Sequence, residues 1–253
     1  MSWFGKVVGG TLGFSIAGPL GAVIGGVIGN QFDKRSGSST EQQINSQEEK
    51  QMVFFVSVFS MLAKIAGADG KFLSSEKKVI DKFMNKNLKL DKESKQFAID
   101  VFNNAGSKNT TFEEYAEQFY SYFKDEKDML LSMVDLMVNL AASDEEYHHR
   151  EEKFIKKACS IFKISEHEYE SIEAQYIAGA GLEKYYKILD LSPDAEFSKV
   201  KKRYRSMAKD YHPDNIIGKG LPEEFVDFAE EKFKKIQNAY EEIKRAETEG
   251  VNI

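Results

Sequence analysis

From Val7 to Gly29 the chain reads VVGGTLGFSIAGPLGAVIGGVIG, without a charge, between Lys6 on one side and Asp33, Lys34 and Arg35 on the other. A bilayer core takes about 20 apolar residues in a helix, so this run predicts a membrane helix and an anchor over residues 1–35. A cleaved signal peptide would carry an apolar stretch of about 7–15 residues ending in a small-x-small site. This run is longer and leads into Asn-Gln-Phe-Asp. Gly9, Gly13, Ala17, Gly21, Gly25 and Gly29 recur at every fourth position. Such a stripe without side chains lets membrane helices approach and pair, and the expectation is a homodimer through the anchor. Pro19 inside the run allows a kink or a re-entrant hairpin.

Residues 36–47, SGSSTEQQINSQ, have the composition of a flexible linker. The hydrophobic positions then take up a helical period over 48–177, and they do so twice. The segment AGADGKFLSSEKKVIDK, starting at Ala66, falls on AASDEEYHHREEKFIKK, starting at Ala141, with no gap. Upstream, Phe55, Val58, Phe59 and Leu62 have the i, i+3, i+4, i+7 spacing of a buried face, and they fall on Leu130, Met133, Val134 and Met137. Thr111-x-x-Glu114 and Ser165-x-x-Glu168 read as capping boxes that start further helices. The pattern predicts one all-α bundle built from an internal repeat. Asp69, Gly70, Phe72 and Glu76 fit positions 5, 6, 8 and 12 of a calcium loop, but its first and third positions fall on Ile65 and Gly67, and in the second copy on Leu140 and Ala142, none of which offers a carboxylate. A tight Asp-Gly turn between helices is expected instead, with Ser74 capping the next helix, Glu76 facing its positive N-terminus, and no metal.

After a hinge at 178–181, Ala-Gly-Ala-Gly, a third helical unit covers 182–246 and leaves a tail at 247–253. Tyr185, Ile188 and Leu189 mark a short helix, and Ser192-Pro193-Asp194 breaks it with chemistry suited to starting the next. From Phe197 to Tyr211 one face is apolar: Val200, Tyr204, Met207, Ala208 and Tyr211. The other carries Lys199, Lys201, Lys202, Arg203, Arg205 and Lys209 against one acid, Asp210. His212-Pro213-Asp214 ends this helix, because the residue before a proline avoids the α conformation. A last helix, about Pro222 to Arg245, faces back with Phe225, Phe228, Phe233, Ile236, Ala239, Tyr240 and Ile243.

Composition narrows the chemistry. The net charge of −6 argues against a general nucleic-acid binder. The single cysteine excludes an internal disulfide framework, and the spacing of Phe154, Ile155, Ala158, Cys159 and Phe162 makes Cys159 a core residue. No phosphate-binding glycine loop is present. His212 has neither a second catalytic group nor a zinc-ligand set near it in sequence, so general acid–base work and metal binding are not supported. An exposed imidazole and carboxylate on a proline-stiffened turn, beside a basic helix, read as a docking device.

The residues then carry resemblances. Residues 48–177 resemble the TerB-like helical domain, whose repeats hold an Ala-x-x-Asp-Gly turn and a later Glu; the second copy has Glu145 where the glycine should be. The stretch from about Leu182 to Ala246 resembles a DnaJ-type J domain, with Tyr204-Arg205, His212-Pro213-Asp214 and Phe233, Ile236, Ala239 and Tyr240 in their expected places. That resemblance implies a protein that is not itself an enzyme and needs no cofactor. It implies docking on an ATP-dependent chaperone of the DnaK class through His212, Pro213 and Asp214, steered by Lys199, Lys202, Arg203, Arg205 and Lys209, with acceleration of that partner's ATP hydrolysis. The order of anchor, TerB-like domain and J domain resembles the membrane-anchored J-domain co-chaperones of bacteria. It implies a single pass through the inner membrane with the C-terminal domains in the cytoplasm. The alternative is a TerB-type membrane stress sensor or scaffold in which the J domain is secondary. A mitochondrial import-motor J protein shares the glycine-rich anchor, and the repeated helical zone argues against it.

Overall fold

The computed structural model describes residues 16–32, 45–66, 78, 80–142, 149–176 and 181–249. Gly9, Gly13, the Asp69-Gly70 turn with Ser74 and Glu76, the second copy's Asp144 and Glu145, and most of the linker and hinge lie outside these residues. Among the described residues every regular element is helical.

The first helix, α1, spans Gly18–Phe32. It does not continue backwards through the uncharged run, because Ile16 and Ala17 are not helical and Gly18 has φ +79°. Pro19 suits a first turn, since its missing N–H is an orphan there anyway. The Gln118 side chain closes that turn: Nε2 donates to the Ala17 carbonyl at 2.6 Å and Oε1 accepts from the Leu20 N–H at 2.8 Å. The expected unbroken helix from Val7 to Gly29 is therefore corrected to a helix that starts afresh at Gly18. At about 1.5 Å per residue α1 is roughly 22 Å long, against a hydrocarbon core of about 30 Å. No described helix is long and apolar enough to cross a membrane.

Instead, α1 joins a bundle with α2 (Ser46–Ala66), α3 (Lys92–Ser107) and α4 (Phe112–Phe123). Leu20, Val23, Ile24 and Val27, at i, i+3, i+4 and i+7, are all buried. The helix α2 is central. Every residue from Gln51 to Ala63 is buried, which follows from a segment that is apolar all round. Phe54 packs edge-on against Phe119 and Phe123, at 5.7 and 6.1 Å between ring centroids. Both expected capping boxes form, at Thr111 with Glu114 and at Ser165 with Glu168. They start α4 and α7.

The second copy of the repeat supplies α5 (Lys127–Ala142), α6 (His149–Phe162) and α7 (Glu166–Glu173). Its helix α5 answers to α2, and buried Ile155 answers to buried Ile80, both at a shift of 75 residues. Beyond Met84 the shift becomes 74. The N-caps Asp91 and Ser165, the left-handed Lys89 (φ 49°) and Lys163 (φ 56°), and buried Leu88 and Phe162 all pair at that value. The cause is a π-helical turn at Phe83–Asn87. Such a turn holds one residue more than an α-helix over the same path, and it realigns the two copies.

The last unit holds α8 (Glu183–Ile188), α9 (Phe197–Asp210), α10 (Pro213–Lys219), a 3₁₀ turn at Glu223–Phe225 and α11 (Val226–Glu249). Helices α9 and α11 pack along each other through Val200, Met207, Ile236, Ala239 and Ile243. On the edge of that seam Tyr240 stacks on Tyr204 at 4.2 Å. The connection after the triplet is itself a helix, α10, which the sequence pattern did not predict. Ser192-Pro193-Asp194 does not cap α9 either: Ser192 Oγ bonds the Asp194 carboxylate, and α9 starts at Phe197, after Glu196.

Candidate docking site

Asn215 and Ile216 donate backbone N–H bonds to the His212 carbonyl at 2.9 and 3.1 Å. His212 is therefore the N-cap of α10, with Pro213 at the first helical position. Asn215 Nδ2 reaches back 3.0 Å to the Lys209 carbonyl and satisfies the open end of α9. The turn is thus closed on one side by backbone N–H groups and on the other by the Asn215 side chain. Its side chains point outward: those of His212 and Asp214 are 53% and 91% exposed, with Nδ1 and Oδ2 3.9 Å apart. The imidazole stands edge-on to Phe233 of α11 at 5.8 Å, so a packed ring limits its motion while its polar atoms face water.

Along α9, Lys199, Lys202, Arg205 and Lys209 are exposed, as is Lys201. Arg203 is not free in the same way. Its Nη2 lies 2.6 Å from Asp190 Oδ2 and its Nε donates to the Leu189 carbonyl at 3.2 Å. It fastens α9 to the end of α8. In the anchor, Ala17, Gly25 and Gly29 are exposed. A Cβ on Gly25 or Gly29 would meet nothing within 4 Å, whereas one on Gly21 would lie 1.8 Å from the Ile16 carbonyl oxygen. Gly21 therefore serves the turn before α1, apart from any stripe.

The floor of the site comes from the repeat domain, which the sequence reading did not foresee. Ile216, Leu221 and Phe225 are buried. The Phe225 ring lies 5.3 Å from Phe54 and 5.9 Å from Phe55 of α2. Gln47 and Gln51 donate to the carbonyls of Ile217 and Leu221 at 3.1 and 3.3 Å. Gly220, at φ +116°, lets the backbone pass where a Cβ would come within 2.8 Å of the Lys50 Cβ. Lys219 Nζ lies 2.6 Å from Asp128 Oδ2, and Lys232 Nζ lies 2.7 Å from Asp135 Oδ2, both acids being on α5. The second pair is fully enclosed. It lacks the alignment of a hydrogen bond and acts as an ion pair held by proximity. Burial first, and then the negative charge of Asp135, push the Tyr176 hydroxyl well above its usual pKa. Burial likewise raises Tyr211, so both phenols stay neutral.

Comparisons with known proteins agree with this three-part layout. Residues 1–45 match the family model described as the Co-chaperone DjlA transmembrane domain, residues 55–174 that of tellurite resistance protein TerB, and residues 184–249 that of the DnaJ domain. Among curated relatives, the Co-chaperone protein DjlA of Coxiella burnetii is 28% identical over 97% of this chain and 98% of its own length. That of Vibrio cholerae is 29% identical over 97% and 98%, and that of Legionella pneumophila 28% over 98% and 96%. No solved structure matches. With an anchor domain, a TerB domain and a DnaJ domain in that order, the chain belongs to the DjlA-like, membrane-anchored J-domain proteins.

Proposed function

We propose that this protein is a co-chaperone that docks on a DnaK-class ATPase at the membrane surface and accelerates its ATP hydrolysis. The observation that carries this reading is the His212-Pro213-Asp214 turn, closed by backbone bonds and the Asn215 side chain, with imidazole and carboxylate turned outward beside the exposed Lys199, Lys202, Arg205 and Lys209 of α9. Lys199, Lys202, Arg205 and Lys209 steer an acidic partner surface and hold it in register. The turn then inserts as a preformed key, with little conformational entropy left to lose on binding. No bond is made or broken on this chain; the hydrolysis is the partner's. The likeness to co-chaperones over nearly the whole chain supports the same reading. Residues 1–45 attach the protein to the inner membrane, with the helical and J domains on the cytoplasmic side where such an ATPase has ATP.

The test is His212→Gln in the full chain. The helical fold, read by circular dichroism, is expected to stay unchanged while stimulation of a purified DnaK-class ATPase is lost at every concentration. Normal stimulation by this variant would end the reading.

A further inference from the structure

On α5 a row of polar residues is buried at i, i+4, i+7 and i+11: Asp128, Ser132, Asp135 and Asn139, each less than 10% exposed. A bundle that needed only its own core would place apolar residues there, since an unpaired buried charge is costly. The J domain supplies what the row lacks. Lys219 meets Asp128 and Lys232 meets Asp135, two helical turns apart. The row has a counterpart in the first copy of the repeat, where a shift of 75 gives Val53, Ser57, Ser60 and Lys64 on α2. That row has no carboxylate, so only the second copy can receive two lysines. The asymmetry tells the J domain where to sit on a pseudo-symmetric bundle.

The contacts continue to the tip. Lys232 lies 4.4 Å from the ring centroid of Tyr211, the residue just before His212. Ile216, just after the triplet, is buried, and α10 packs on α2 and α5. One flank of the exposed turn, α10, therefore packs directly on the other domain, and the other flank, Tyr211, is linked to it through Lys232 and Asp135. His167 of the repeat domain pairs with Asp190, which also holds Arg203 of α9. We propose that the polar row of α5 is a docking strip for this chain's own J domain, and that Asp135 is a positioning residue. Through Lys232 and Tyr211 it sets the orientation in which the triplet meets the partner ATPase.

This inference rests on the co-chaperone reading, and the experiment separates the two. Full-length protein in lipid nanodiscs is compared with Asp135→Asn, with His212→Gln, and with a charge-free pair, Asp135→Leu together with Lys232→Met. Amide hydrogen exchange is followed over residues 213–221, and ATPase stimulation is titrated. Losing one partner of a buried ion pair strands the other charge, so Asp135→Asn is expected to speed exchange over 213–221 about 100-fold. It should raise the concentration for half-maximal stimulation about tenfold and leave the maximal rate intact, because the triplet itself is unaltered. The charge-free pair keeps the apolar contact and strands no charge; it should restore both values to within about threefold. Unchanged exchange in Asp135→Asn, or faster exchange with unchanged half-saturation, would overturn the positioning role. Should Asp135→Asn fail to fold, a tenfold rise in half-saturation in the charge-free pair would overturn it instead. Normal stimulation by His212→Gln would remove the co-chaperone reading, and the exchange data would still decide the docking.

Discussion

Cys159 sits between the bundle helices, and burial pushes its thiol up to about 12. Its folded pKa lies above the unfolded value of about 8.5. The stability it contributes is thus fully present below pH 8.5 and is lost as pH rises from there towards 12. Only the thiolate attacks a disulfide reagent. At pH 8 the native protein should react with a colorimetric disulfide about 1000-fold more slowly than the unfolded chain. Reaction at the rate of a free thiol would mean that the α6 face opens readily. The core position of this residue was legible from its spacing with Phe154, Ile155 and Phe162. The role of Arg203 was not, because spacing along α9 cannot show that Asp190 lies across a turn from it.

At the scale of elements, periodicity found the long helices and missed two short irregular features. The π turn at Phe83–Asn87 has no composition of its own, and its effect is one residue of register between two copies. Helix α10 is seven residues long, stabilised by Ile216, Leu221 and the left-handed Gly220 that follows it, with most of its support from α2 and α5. In α1 Leu20, Val23, Ile24 and Val27 face the bundle while Ala22, Gly25 and Gly29 are exposed, so one helix can pack inward while leaving a flat outer surface for a second copy. Since a side chain at Gly25 meets open space, Gly25→Leu should leave the bundle folded and weaken self-association in a membrane two-hybrid assay. Undiminished association would dismiss the stripe as an interface. Gly21→Leu cannot serve, because its Cβ would collide with the Ile16 carbonyl and disturb the start of the helix.

For the molecule as a whole, α1 links the anchor to the stability of the bundle. Its four buried aliphatic side chains are each worth about 1.5–3 kcal/mol as an upper bound, and removing them uncovers α2. A chain that starts at residue 33 should therefore melt several degrees below one that starts at residue 15, in the same detergent and measured by the same thermal scan. Equal melting temperatures would show that α1 does not stabilise the bundle. The J domain likewise does not hang from its hinge. Buried Phe225, the two α5 carboxylates and the side-chain amides of Gln47 and Gln51, which donate to backbone carbonyls, bring it against the repeat domain.

The sequence by itself determined what depends on local periodicity and local chemistry: the helical class, the repeat, the capping boxes at Thr111 and Ser165, the basic face of α9 and the triplet that ends it. Each of these is written within a few turns of chain, where side-chain spacing and backbone preference act directly. Tertiary structure alone decided which polar residues are buried and what they meet. Nothing in the sequence pattern marks Asp128 and Asp135, which are met by Lys219 and Lys232, 91 and 97 positions away, only in the folded chain. The uncharged run read as one membrane helix until the turn at Gly18, closed by Gln118 from far along the chain, set α1 apart. In both cases the deciding partner is distant in sequence, and burial, which makes a charge or an apolar face matter energetically, exists only once the chain has folded around it.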